Sequence, residues 1–490
     1  LLMEGEDPAE ETIAPDSQDL TLAYYPDRSM NPLYGSDYTN RVVMSLMYQG
    51  LFAVDSKNNT TPILCSQYQV TPDNRTWTIY LEPDATFSDG TRVTVQDVVA
   101  SYEQARQNVY YKGRFTHIAR VELSSDGGVD FFLDTPYQNL ALLLDIPIVK
   151  ASEVTVDNPL GTGPYSLEDG IGGKHLQRVV GWWCSSDDLV AKDSSIALVE
   201  AESPSQIRDE FEFSGLSVVC TNPQTDSYAD YRCDFELWEV DSGFMMYIGC
   251  NVTYSKFFDD GTLRTFLTYG IDRQTLVDDN YGGLALPTTL PISPMSPYYS
   301  KSLAANYDYD EMRFIDAASK FRVPTNDKGV PRTLQLLVNS DDSARLRCAR
   351  NIAATLTELG LACETVESPT SVYEARLQAA NYDIYLGITK LPTTADLSEF
   401  YRPWGEMSWG GLANETIYNM VNQSLADRGN YYNLHKLVAD DGRIIPVMAG
   451  YYAIYAKRGV LSDLNPARDN VFYYTLGKTM ESSKVATQFS

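Results

Sequence analysis

The sequence predicts an α/β protein, with a parallel sheet from Leu334 onward, divided into two or three domains. Three observations carry this. From Leu334 onward, short apolar strands alternate with helical stripes: Leu334, Leu336 and Val338; then Leu346, Ala349, Ile352, Ala353, Leu356 and Leu359, closed by Gly360; then strands at 363–366 and 382–388, with a helix marked by Tyr373 and Leu377 between them. At this spacing the alternation implies right-handed crossovers and a parallel sheet. The span 196–240 reads strand, helix, strand, helix, strand. Finally, 490 residues exceed what one hydrophobic core holds, so two or three domains are expected.

Taken in order, residues 1–19 hold seven acidic side chains and no Lys or Arg, and read as a flexible acidic tail. Thr21 to Tyr24 form a short strand, and a loop at 27–34 contains Asn31, Pro32 and Leu33. Val42, Val43, Leu46 and Met47 have helical spacing and stop at Gly50. In 76–81, Trp77, Ile79 and Leu81 alternate onto one face of a strand, and Asp89–Gly90 turns the chain. Thr94 and Asp97 have capping-box spacing and open a helix carrying Val98, Val99 and Tyr102. The run Asn158, Pro159, Leu160, Gly161, Thr162, Gly163, Pro164, Tyr165 sets a fixed turn. Residues 281–300, with four prolines, form a long loop.

Composition excludes several functions. A net charge of −28 opposes binding to nucleic acid or to an anionic membrane surface. No apolar run can span a bilayer, since 140–149 is short and interrupted by Asp145 and Pro147. No signal peptide is visible, so the expectation is a cytosolic chain or one already trimmed. Seven cysteines without a Cys-x-x-Cys pair give neither a zinc site nor a disulfide framework; Cys220 and Cys233 could bridge, with buried free thiols the default. His117, His175 and His435 are scattered without a metal or triad signature, so no catalytic residue, metal or cofactor is expected. With 66 acidic residues a carboxylate pair could arise by chance, which keeps a glycoside hydrolase as the enzyme alternative. The 34 tyrosines and 6 tryptophans suit a receptor for flexible ligands, and Trp404 and Trp409 occupy a Gly-rich loop after a strand, where open α/β sheets bind ligands.

Several phrases together resemble the family-5 extracellular solute-binding proteins, the peptide and nickel receptors of ABC importers. They are Tyr48–Gln49–Gly50–Leu51; Pro62–Ile63–Leu64 followed by 68–74, 76–81, Phe87–Ser88–Asp89–Gly90 and Asp97–Val98; the turn 158–165; and Asp260, Arg264, Asp272 and Arg273. Cys65 and Gly270 stand where Ala is usual. The resemblance implies a two-lobed periplasmic-binding-protein-like fold (class II) with an extra domain. Lobe I would comprise 20–55, 158–244 and 445–490, the extra domain 56–157 and lobe II 245–444, with the lobes hinged near 245 and 445. It implies a monomeric receptor that is not an enzyme. The receptor would be held at the outer face of the cell membrane by a lipid anchor, or free in the periplasm, and would pass a peptide, or alternatively an oligosaccharide, to a membrane permease. The ligand residues implied are Asn31, Tyr165, Asn251, Asp396, Trp404 and Trp409. Asp396 would hold the ligand's terminal ammonium or, equally, cap the helix beginning near Leu397.

Overall fold

A computed structural model describes residues 19–35, 37–184, 194–226, 231–461 and 464–472. The acidic tail lies outside the described residues, apart from Asp19. Seventeen strands are described. In chain order they are β1 Thr21–Tyr24, β2 Phe52–Val54, β3 Thr60–Pro62, β4 Cys65–Val70, β5 Thr76–Leu81, β6 Ile118–Leu123, β7 Val129–Leu133, β8 Tyr165–Gly170, β9 Gly173–Arg178, β10 Ser195–Glu200, β11 Val218–Thr221, β12 Phe235–Cys250, β13 Leu286–Pro287, β14 Leu334–Asn339, β15 Cys363–Ser368, β16 Ile384–Lys390 and β17 Ile444–Lys457.

One sheet runs through the molecule in the order β15-β14-β16-β12-β17-β11-β1-β10-β9-β8. Its outer groups, β14 with β15 and β16 on one side and β1 with β10 and β11 on the other, are parallel. Its centre is the antiparallel pair β12 and β17, each long enough to belong to both halves. Toward the C-terminal end of β12, Met246, Ile248 and Cys250 join Leu336, Val338, Ile352, Leu356, Leu386 and Val447 in the core of lobe II. The lobe I core collects Leu22, Val43, Met47, Leu198, Val218 and Ile454. Between the two the pairing slips: Asp241 lies opposite Tyr451, but Met245 opposite Ala449, so four residue steps on one strand match two on the other. Such a bulge bends the strand where one is needed.

The extra domain is a four-stranded antiparallel sheet, β4-β5-β7-β6, with helix α2 (Val95–Arg106) across it. Trp77 and Ile79 face inward as the alternation requires, and Tyr68 stacks on Trp77 at 5.1 Å. The capping box forms: the Thr94 N–H donates to Asp97 Oδ2 at 2.8 Å, and the Asp97 N–H to Thr94 Oγ1 at 3.4 Å. Asp97 also accepts from the Ala151 N–H at 2.7 Å, tying the helix to the chain that leaves the domain.

The turn 158–165 seats against the end of helix α1 (Tyr38–Met44). Gly163 N–H donates to Met47 O at 2.9 Å, and a Cβ on Gly161 would stand 2.6 Å from the Tyr48 ring, so the backbone approach needs glycine. Trp182 and Trp183 close the seat from the other side, both donating to Thr162 O, at 2.8 and 3.0 Å. All seven thiols are free, Cys220 and Cys233 among them. The last strand of the 196–240 pattern does not stop at Val240 but runs on to Cys250, because Asp241, Ser242 and Gly243 form a bulge and not a loop.

Candidate functional site

The end of β16 and Arg468 both lie against the bulge of β12. β16 ends there, with Lys390 opposite Phe244 of β12. The next residue closes the corner: Leu391 N–H donates to Gly243 O at 2.8 Å, and Leu391 O accepts from Arg468 Nη1 at 2.8 Å. Arg468 also donates to Asp241 Oδ2 at 2.7 Å.

Around this corner lies a charged cluster contributed by three parts of the chain. From α1, Arg41 lies 3.5 Å over the Tyr110 ring and donates to Tyr111 Oη at 2.6 Å. From the extra domain, Arg114 pairs with Asp145 and, at 2.6 Å, with Asp469. Asp469 also accepts from Tyr110 Oη and stands 3.9 Å from Arg41. From lobe II, Lys390 donates to Tyr452 Oη at 3.1 Å and sits 3.5 Å from the Tyr110 ring centroid. Tyr452 in turn stacks on Tyr38 at 3.7 Å.

These surroundings set the protonation states. Burial works against the Asp469 charge, but Arg114, Lys390 and Arg41 outweigh it and hold the carboxyl well below the usual range. Asp145, where burial outweighs Arg114, is pushed up to about 6. Burial and the neighbouring Arg468, Arg41 and Arg114 pull the Lys390 ammonium far down, with Asp469 opposing. Part of the Lys390 side chain is exposed to solvent, which works against that depression.

Enclosed space at the corner is small. Cavities of about 40 Å³ beside Arg41 and Asp145, and about 60 Å³ beside Asp241 and Arg468, suit waters and not a solute. A larger concavity of about 700 Å³ lies among Tyr254, Arg332, Arg376 and Asp383.

The six residues picked from the sequence do not converge. Asn31 donates to Val154 O and Val156 O at 3.0 and 2.7 Å and accepts from Leu33 N–H, fixing its own loop. Tyr165 begins β8 in the lobe I core. Asn251 donates to Ala380 O and Tyr382 O, both at 2.8 Å, inside lobe II. Trp409 is half-buried, edge-on to Tyr385 at 6.0 Å. Asp396 is buried, accepting from the Ser398 N–H at 2.9 Å and lying 3.2 Å from His117 Nε2. Trp404 alone presents a face to solvent: it is 98% exposed, in a left-handed backbone conformation at φ 61°.

His117, Ser398 and Asp134 form a row that looks like a hydrolase triad, with His117 2.7 Å from Ser398 Oγ and 2.6 Å from Asp134. It lacks the chemistry. Ser398 is fully buried and gives its hydroxyl proton to Asp396 at 2.6 Å. Burial opposes the His117 charge, but Asp396 and Asp134 raise its pKa to about 9, so it is a cation and no general base. Among the described residues no cluster of His, Cys, Asp and Glu could hold a metal ion, and no helix is long and apolar enough to cross a membrane.

Sequence reasoning passed over Lys390, Tyr110, Tyr452 and Arg41. Lys390 had a signal, since it ends a strand at the sheet's C-terminal edge. The others come from three distant segments, and only the fold brings them together.

The chain is 25% identical over 318 residues to the glutathione-binding protein GsiB of Escherichia coli O6:K15:H31, an alignment spanning 60% of each chain. It is 25% identical over 302 residues, 57% of each chain, to GsiB of Salmonella typhimurium. It thus aligns with less than two thirds of the length of these relatives. Among solved structures it resembles the unliganded open form of the periplasmic murein tripeptide-binding protein MppA, with TM-score 0.77 and 15% identity over 94% of this chain and 97% of that one. It also resembles AppA of Clostridium difficile, with TM-score 0.72 and 15% identity over 93% and 98%. CtaP, an ABC transporter substrate-binding protein of Listeria monocytogenes, follows with TM-score 0.69 and 17% identity over 94% and 98%. These likenesses show the two-lobed fold. Residues 59–411 match the model of the bacterial extracellular solute-binding proteins, family 5, and the chain belongs to that family.

Proposed function

We propose that this chain is the receptor of an ABC importer. It captures a small solute, in the first instance a short peptide, between its lobes and hands it unchanged to a permease, working outside the cytoplasmic membrane. The observation that carries the reading is the β12–β17 pair, which threads both lobes and slips register twice, between Asp241 and Met245 and between Met246 and Tyr247, the kind of lobe-to-lobe crossing about which two lobes can close. Family membership supports it, as do the names of GsiB, a glutathione-binding protein, and MppA, a murein tripeptide-binding protein. The buried, protonated state of the His117 row speaks against hydrolysis there. Of the six residues picked from the sequence, we assign direct ligand contact to Trp404, with the other five holding the walls.

The test is a thermal-shift screen of the purified chain against libraries of short peptides, oligosaccharides and metal complexes. A ligand at one hundred times its Kd stabilises the folded form by about 2.7 kcal/mol, a readable shift. Peptides are expected to raise the melting temperature. A rise with oligosaccharides alone would replace the peptide by a sugar, and no rise with any library would overturn the receptor reading.

A further inference from the structure

The concavity of about 700 Å³ lies at the N-terminal ends of three parallel strands. Gln335 is the second residue of β14, Glu364 the second of β15, and Asp383 directly precedes β16. Lys390, in the interlobe corner, is the last residue of β16. At about 3.3 Å per residue the two places are roughly 20 Å apart. The volume is that of a small-molecule site, about 300–1,000 Å³.

The acidic groups of the concavity are already engaged. Asp383 accepts from Ser255 Oγ at 2.6 Å and from the Gln335 N–H at 2.8 Å, and Gln335 Nε2 donates to Glu364 at 2.6 Å. One wall is a closed loop: Thr325 bridges to Pro331, the Asn326 N–H donates to Val330 O at 2.9 Å, and the Asn326 side chain accepts from the Lys328 and Val330 N–H groups. These bonds fix floor and wall before any ligand arrives.

The guanidinium groups are not engaged in the same way. Arg332 donates to Thr325 O at 3.2 Å and meets no carboxylate within ion-pair distance among the described residues. Arg376 is half-buried, and its guanidinium has neither a hydrogen bond nor an ion pair among them. In a chain with net charge −28, two arginines free of carboxylates on one concavity run against the general charge, and their planar forks match a carboxylate or a phosphate. Tyr254, on the same concavity, is 71% exposed and offers an aromatic face for stacking. The exposed amides of Asn326 and Asn381 present both donors and acceptors, as sugar hydroxyls require.

We propose that this concavity is a second binding site, for an anionic saccharide. The sugar ring stacks on Tyr254, Asn326 and Asn381 take its hydroxyl groups, and Arg332 and Arg376 hold its carboxylate or phosphate. A bare oxyanion has no use for the aromatic wall, and a neutral sugar none for the guanidinium groups, so the two features together select the class. The site stands at the far end of β16 from the corner and leaves the interlobe cleft free for the transported solute.

The experiment is titration calorimetry on the full chain and on Arg332→Gln, Arg376→Gln and Tyr254→Ala. The probes are glucuronate, glucose 6-phosphate, glucose, inorganic phosphate and the acidic dipeptide aspartyl-glutamate. Melting temperature reports whether each variant folds, and three separate variants keep the test open if one does not. At least one of glucuronate and glucose 6-phosphate is expected to bind tenfold or more tightly than glucose and inorganic phosphate; either result supports the site, and which one binds identifies the oxyanion. Each variant should weaken that binding by fivefold or more. Glucose or inorganic phosphate binding as tightly as the charged sugars would overturn the proposal, as would tighter binding of aspartyl-glutamate. Charged-sugar binding unchanged in all three variants would place the sugar elsewhere, in the interlobe cleft, and overturn it too. Binding of none of the probes would do the same, while leaving the receptor reading, which rests on the cleft, untouched.

Discussion

Gly243 and Arg468 share one space at the β12 bulge: a Cβ on Gly243 would lie 2.6 Å from the Arg468 Nη1 that binds Leu391 O and fixes the corner. Gly243 also has φ 77°, a conformation that other residues adopt at a cost of about 1–2 kcal/mol. Gly243→Ala therefore strains the backbone and displaces Arg468, for a total of about 2–4 kcal/mol. Urea unfolding should show that loss, and small-angle scattering with saturating ligand should show less contraction than in the original protein. An unchanged midpoint would mean that the bulge tolerates a side chain.

Stability should peak near pH 6.5. His117, raised to about 9 by Asp396 and Asp134 against burial, gives stability that is complete below pH 6.5 and lost as pH rises to 9. The shift corresponds to about 3 kcal/mol at most, and on the order of 2 once solvent around the half-exposed Asp134 is counted. His435 works at the other end: burial without a hydrogen-bond partner lowers it to about 3, so the unfolded chain takes up the proton first and stability falls as pH drops from 6.5 toward 3. Melting temperatures from pH 4 to 10 should show both limbs. His117→Gln flattens the alkaline limb and His435→Leu the acid one.

Asp396→Asn separates wall from anchor. The carboxylate faces the protonated His117, and losing one partner of a buried pair costs about 3 kcal/mol. The variant should melt several degrees lower while its folded fraction binds ligand with unchanged affinity. A tenfold affinity loss with the original melting temperature would make Asp396 the ligand's ammonium anchor after all.

Trp404 is exposed and held at φ 61°, so nothing in the folded chain depends on its ring. Trp404→Gly should raise stability by about 1 kcal/mol, because glycine adopts that conformation freely. Ligand affinity should fall at the same time, the signature of a residue kept for contact. Unchanged affinity by calorimetry would remove Trp404 from the ligand site.

The fold was legible where sequence pattern and local chemistry agree. The Thr94–Asp97 box, the strand of Trp77 and Ile79, and the alternation from Leu334 to Lys390 all appear as read, since burial period and capping act over a few residues. The continuous β12 was not legible, because Asp241, Ser242 and Gly243 have the composition of a turn and form a bulge only when β17 pairs across it. The cluster was hidden for a similar reason: Arg41, Arg114, Lys390 and Asp469 come from four segments far apart in the chain, with no local spacing to betray them. Asp396 was read correctly as lying after the strand, but its partner His117 comes from the extra domain and could not be foreseen.

The central claim is capture of an intact solute, and one measurement meets it directly. The purified chain is incubated with a defined library of di- to pentapeptides, separated from unbound material by rapid gel filtration, denatured, and the released compounds are identified by mass spectrometry. The account predicts stoichiometric recovery of a few peptides at their original mass. Recovery of peptide fragments, or of no library member at verified folding, would contradict it.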